Sequence, residues 1–194
     1  MKTSTALVLV GVGILGIWLA SSATGFYDST YSARRAGGMR KKPVRMIAIH
    51  ASESGGTAAE AARILQTTLE QKSAHVVAGE DGNYRTVDDD VVAYGATKGE
   101  ANDEGLHLEV VGSSAWTRAE WLQRDATLDN AATVIAAWAR TFGVPLVMLT
   151  DAQAKSERGV VTPVQIGRVF GTIAYGDPGP GFPWDEVIGR AGGR

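Results

Sequence analysis

No cysteine occurs in the 194 residues, which rules out disulfides, thiol nucleophiles and thiolate metal sites in one step. It does not fix the compartment, since a cysteine-free domain works on either side of a membrane. Histidine is nearly as scarce. Any imidazole-based metal site has only His50, His75 and His107 to draw on. Charge of one sign is lacking too: 19 Lys and Arg stand against 21 Asp and Glu, a net charge of −2. That balance argues against a protein whose main task is gripping nucleic acid. Hydrophobic residues at 44% and charged residues at 21% are ordinary for a globular chain and argue against wholesale disorder. The length allows one domain with a core, plus a tail.

Only one long apolar run is present, residues 5–20 (TALVLVGVGILGIWLA), preceded by Lys2. A spanning helix needs roughly 20 apolar residues, and this run approaches that only by including the small residues up to Gly25. Three readings stand: an uncleaved single-pass anchor over residues 1–25, a secretory signal with Ser21-Ser22-Ala23 as its small-residue cleavage site, or a buried core helix. Residues 26–43 read as a linker rich in Gly, Ser and Arg. Arg34, Arg35, Arg40, Lys41, Lys42 and Arg45 follow the apolar run, and by the positive-inside rule they would hold the domain in the cytoplasm. As solvated linker charges they would instead attract anionic lipid.

The globular part spans residues 44–190. Residues 44–50 (VRMIAIH) form a β-type run ending on a polar residue. Thr57 and Glu60 make a T-x-x-E capping box for a helix over residues 57–71, with Ala61, Ile64, Leu65 and Leu69 as its stripe. Residues 75–78 and 84–87 pair as a hairpin around Asp81-Gly82-Asn83. Residues 106–111 (LHLEVV) make another strand. Residues 128–141 make a second helix, stopped by Gly143. Residues 145–149 read as a buried strand and residues 162–170 as a short helix. Strands mixed with helices in this order predict an α/β domain with a central mixed sheet flanked by helices, preceded by the N-terminal hydrophobic helix.

Three features could carry chemistry. His50 closes a strand, where side chains project into sites. Glu109 lies mid-strand among apolar residues, and a buried carboxylate is costly unless paired or catalytic. The run Asp177-Pro178-Gly179-Pro180-Gly181-Phe182-Pro183-Trp184 is a rigid turn-rich loop. Each has a plain structural reading by itself, but together they form an ordered set: IAIH-x-x-E ending at Glu53, SAH ending at His75, EDGNY, N-x-x-G-L-x-L-E from Asn102 to Glu109, and DPGPGFPW. This set resembles the type 2 N-acetylmuramoyl-L-alanine amidases, the family of phage endolysin amidase domains and peptidoglycan recognition proteins, over about residues 44–188.

The resemblance implies a Zn²⁺ held by two histidines and an aspartate, with an open position for water or the substrate carbonyl. It also implies a glutamate serving as general base and then acid. Carried over, His50 and Asp177 are zinc ligands, Glu109 is the assisting carboxylate, and Glu53, His75 and Asn102 are substrate-binding positions. Three positions depart from the pattern. Pro163 stands where the second zinc histidine falls, although proline fits the first turn of a helix capped by Thr162. Gly95 stands where the family has a histidine. Tyr175 stands where a Lys or His would support the oxyanion; its hydroxyl can donate a hydrogen bond there without positive charge.

His107, two residues before Glu109 on the same strand face, replaces a usually small residue. Two readings of it are open: a displaced third ligand in a His50, His107 and Asp177 site, or a space-filling histidine in a site without metal. The functional expectation is a membrane-tethered peptidoglycan amidase-family domain, with peptidoglycan or muropeptide and the membrane as partners and no nucleic acid. The domain is expected on the cell-wall side, or secreted if the signal is cleaved; the apolar run is also similar to the releasable anchors of some endolysins. The degraded zinc site leaves an active amidase and a binding pseudoenzyme both open. A structural, virion-associated membrane protein reusing the fold is the alternative.

Overall fold

The computed structural model describes residues 27–96, 99–171 and 176–194. The apolar run and its expected helix lie outside these residues, as does Tyr175. Six strands form one sheet: β1 (Ser29–Thr30), β2 (Met46–Ala51), β3 (Val76–Gly79), β4 (Gly82–Arg85), β5 (Gly105–Val110) and β6 (Gly159–Val161), in the order β1-β4-β3-β5-β2-β6. Only β3 and β4, the hairpin around Asp81, pair antiparallel; the other pairs are parallel. The helices are α1 (Ala58–Thr67), α2 (Glu100–Glu104), α3 (Arg118–Leu122), α4 (Asp125–Phe142), α5 (Pro163–Phe170) and α6 (Trp184–Gly192). The expected mixed sheet with flanking helices is thus present.

Strand alternation decides what each face carries. Ile47, Ile49, Leu106, Leu108, Val110, Val76 and Ala78 point to one side, where they bury against α4 and α6 through Leu128, Ile135, Trp138 and Val187. The opposite face is split. Met46 and Ala48 pack under Ile166 of α5 at one end, and Val77 packs under Ala58, Ala61 and Leu65 of α1 at the other. Between those two helices the face is not covered by apolar side chains, and there β2 and β5 present His50, His107 and Glu109. The parallel register places His50 opposite Glu109 at the carboxyl ends of both strands, where ligand sites form in sheets of this kind.

The expected capping box at Thr57 is made, and the expected N-cap at Thr162 is a capping box as well. Thr57 accepts from the Glu60 N–H and α1 begins behind it; Thr162 does the same with Gln165, and Pro163 occupies the first turn of α5. Replacing Thr57 by alanine is expected to lower stability by about 1 kcal/mol, read as a shift of the urea midpoint. Gly143 ends α4 in the left-handed conformation at φ 63.

Two expectations are corrected. Residues 145–149 are not a buried strand. Val147 and Met148 are exposed, and a single bridge from Met148 to Val160 is all that joins the sheet; β6, only three residues long, takes the edge position beside β2. The stretch read as a linker, in turn, is attached to the sheet from Tyr27 onward. Asp28, Tyr31 and Ala33 donate backbone N–H groups to Asn83, Arg85 and Thr86, Ser29 and Thr30 add a strand, and Arg40 donates to the carbonyls of Asp89, Asn102 and Asp103. Arg45 and Lys42 pair with Glu104. Half of the six-residue basic cluster (Arg40, Lys42 and Arg45) therefore serves the fold.

Candidate active site

A cleft of about 530 Å³ opens over the carboxyl ends of β2 and β5, lined by His50, Glu53, Lys72, Tyr94, Glu109 and Asp177 among others. Three segments build it. His50 and Glu109 come from paired strands and are 5% and 4% exposed. Asp177 comes from the loop before α6, and that loop is held from below by aromatic rings. Phe182 meets Trp121 edge-on at 5.0 Å and Trp184 at 4.8 Å, while Trp116 meets Trp121 at 5.0 Å. Gly179 and Gly181 let the loop lie against the backbone of residues 114–118: a Cβ on either would sit 2.1 Å from the carbonyl oxygen of Ser114 or Trp116. This explains the motif locally. Its aromatic residues anchor, its glycines permit close approach, and the aspartate is delivered to His50.

The polar groups form a string. His50 Nδ1 lies 3.1 Å from Asp177 Oδ2, which also accepts the Ala51 N–H at 3.3 Å. His50 Nε2 lies 3.1 Å from His107 Nδ1. His107 is fully buried, its ring stacked on His75 at 5.9 Å with an 8° tilt. Burial pushes the Asp177 carboxyl up, but the hydrogen bond and charge of His50 outweigh it and hold Asp177 below the usual range. Burial raises the Glu109 carboxyl, opposed by His50 and by Lys72, whose Nζ is 3.8 Å away. Glu109 Oε2 and Asp177 Oδ1 are buried and have no hydrogen-bond partner among the described residues.

Two sequence candidates lie elsewhere. His75 is 0% exposed and sits behind His107: its Nδ1 accepts the His107 N–H at 2.9 Å and its Nε2 reaches the Val91 carbonyl at 3.1 Å. Asn102 clasps Ala96 through both its N–H and its carbonyl, at 2.7 and 2.8 Å, and so shapes the cleft rim from behind. Neither meets the cleft, because both side chains are consumed by backbone groups. Glu53 does line it, exposed, at φ 54, and it straps the β2 end to Ser113 and Ser114 with bonds of 2.9 and 2.8 Å. Sequence reasoning missed Lys72 and Tyr94. The signal was adjacency: Lys72 directly precedes the SAH motif and Tyr94 precedes Gly95.

The zinc set implied by the resemblance is matched only in part by these donors. His50 Nδ1 and Asp177 Oδ2 are separated much as two ligands of one tetrahedral ion are, about 3.3 Å for bonds of about 2.0–2.1 Å. His107 meets the other edge of the His50 ring, and the two ring nitrogens point away from each other. An ion beside Asp177 is therefore out of reach of His107. Among the described residues no three His, Asp or Glu side chains gather around one point, and Pro163 offers no donor. The residues fit two protein ligands of the implied three.

Comparison with known proteins agrees with this architecture. The family model described as N-acetylmuramoyl-L-alanine amidase matches residues 40–159, more than half of the chain. None of the curated protein sequences compared matches it. Among solved structures, the Staphylococcus aureus hydrolase AmiA in complex with its ligand superposes with a TM-score of 0.65 at 14% identity, covering 84% of this chain and 82% of that one. A derivative of AmpD gives 0.60 at 16% identity, covering 89% and 96%. The Drosophila peptidoglycan recognition protein PGRP-SA gives 0.54 at 17%, covering 80% and 83%. With the family model spanning β2 to β5 and the cleft residues from His50 to Glu109, the chain belongs to the N-acetylmuramoyl-L-alanine amidase family.

Proposed function

We propose that this domain binds peptidoglycan in its cleft without cutting it as a zinc amidase. The observation that carries the reading is the two-donor limit at His50: one ring edge faces Asp177, the other faces His107, and among the described residues no third ligand completes either. Structural metal affinity and catalytic geometry both depend on the full set. The cleft itself is retained. Glu109 Oε2 and Asp177 Oδ1 are acceptors without donors, suited to the N–H and O–H groups of an amino sugar or its stem peptide. A tether through residues 1–25 is part of the proposal, supported by the apolar run and placing the domain at the cell-wall side of a membrane.

The full chain is expected to sediment with insoluble peptidoglycan and to release no dye from labelled cell wall. Zinc-dependent dye release that is lost in Glu109→Ala would instead establish an active amidase. Failure to sediment would favour a scaffold that has reused the fold.

A further inference from the structure

We infer that the segment 27–41 and the exposed end of α1 form a docking surface for an anionic lipid bilayer, which holds the domain against the membrane. Among the described residues, Arg34, Arg35 and Arg63 are the arginines whose guanidinium groups bind neither a carboxylate nor a backbone carbonyl. Every other arginine binds one or the other, as Arg40 does the Asn102 carbonyl and Arg118 the Asp185 carboxylate. The three exposed arginines lie together. The Arg34 N–H is bound to the Leu65 carbonyl at 3.1 Å, which seats the segment on the end of α1. The Arg63 guanidinium lies over the Tyr31 ring at 5.6 Å. Glu70 is the one carboxylate within residues 61–72, Glu60 is spent in the α1 capping box, and Asp28 is bound by the Asn83 N–H. Positive charge is therefore in excess here, and no protein partner among the described residues uses it.

Apolar side chains project from the same surface. Leu69 at 67%, Met39 at 63% and Ile64 at 57% are the most exposed large apolar residues among those described, and all three belong to this segment and the end of α1. A soluble polyanion offers such side chains nothing. The headgroup boundary of a bilayer accommodates both kinds of group, with guanidiniums at the phosphates and aliphatic chains in the acyl margin. The chain also enters the fold here. Residues 21–26, which reach at most about 20 Å, separate the apolar run from Tyr27. With that run in the bilayer as the proposed tether, the surface stays close to lipid, and a weak contact is held closed by its local concentration. Ile64 and Lys72 line one groove, and Lys72 also lines the cleft. Docking thus sets one rim of the cleft beside the lipid surface.

The test uses the full chain, whose lack of cysteine lets one thiol-reactive dye be placed at Leu69→Cys or, as control, at Val147→Cys beside the opposite edge strand β6. Each is reconstituted with vesicles of phosphatidylcholine alone, or of phosphatidylcholine with phosphatidylglycerol, carrying a spin-labelled lipid that quenches dye at headgroup depth. The Leu69 dye is expected to be quenched on the phosphatidylglycerol vesicles at low salt, and the Val147 dye on neither. High salt is expected to reverse the quenching. Changing Arg34, Arg35 and Arg63 together to Gln is expected to abolish it, each arginine lost weakening the docking equilibrium roughly 5-fold. Their guanidiniums make no bond in the fold beyond the Tyr31 ring contact, so the variant is expected to keep the wild-type urea midpoint.

Equal quenching at the two positions, a Leu69 dye that stays in water on anionic vesicles, or quenching undiminished in the arginine variant overturns the inference. The tether is judged separately. A chain that does not float with phosphatidylcholine vesicles contradicts the tether, while Leu69 quenching on phosphatidylglycerol vesicles that depends on the arginines establishes the surface without it.

Discussion

Lowering the pH from 7 to 4 is expected to destabilise the folded domain by roughly 3 kcal/mol through His75 alone. Its ring is fully buried, and burial, reinforced by the Arg40 charge, lowers its pKa from 6.5 to about 3. Arg40 NH2 is 3.0 Å from Nε2, so the imidazolium would meet a fixed cation. The sign follows: the folded pKa lies below the unfolded one, so between them the unfolded chain takes up a proton that the folded chain refuses. The contribution of neutral His75 is complete above pH 6.5 and is lost as the pH falls toward 3. His107, lowered first by burial and then by His50 and His75, acts in the same direction. Glu109 and Asp89, both raised by burial, act in the opposite direction. Urea midpoints across this range should fall less steeply in His75→Asn, whose amide oxygen can still accept the His107 N–H, and the difference should be about one proton. Identical slopes in the two proteins would mean that His75 is not held neutral by its site.

Gly179→Ala is expected to cost about 3 kcal/mol, combining roughly 1–2 for a left-handed backbone with roughly 1–3 for overpacking. Gly179 sits at φ 88, and its Cβ would lie 2.1 Å from the Ser114 oxygen and 2.8 Å from the Ser114 carbonyl carbon and Cα. These are backbone atoms in a segment fixed by Trp116 and Trp121, so nothing nearby can yield cheaply. The effect reaches the cleft, because Asp177 is only two residues away and depends on this approach to meet His50. Gly38→Ala is the matched control, since nothing lies within 4 Å of its Cβ position; it should move the urea midpoint by less than about 0.5 kcal/mol. Comparable losses in both variants would show that the effect is general chain stiffness and not the loop contact.

Much of this arrangement was legible in the sequence where a local rule sufficed. The caps at Thr57 and Thr162 follow from spacing, and alternation along β5 put His107 and Glu109 on one face. Relations that depend on register were not legible. That His107 meets the Nε2 edge of His50 depends on Ala48 pairing with His107 in β2 and β5, which no single strand reveals. His75 matched a motif, yet its burial arises from the Arg40 arm and the Val91 carbonyl, both distant in sequence. Residues 145–149 carried the apolar content of a strand, but the sheet edge was filled by Gly159–Val161, too short to stand out by pattern. The FPW residues read as a turn because their role, a row of edge-on rings with Trp121 and Trp116, is wholly tertiary.

The central claim is that this amidase-family cleft lacks a third zinc ligand, with Pro163 at the position where the family's pattern places a histidine. Zinc content per chain, measured by metal analysis on wild-type protein purified without chelator, tests it most directly. Well under one equivalent is predicted, with Pro163→His rising toward one. One tightly held zinc in the wild type, lost in His50→Ala, would contradict the account.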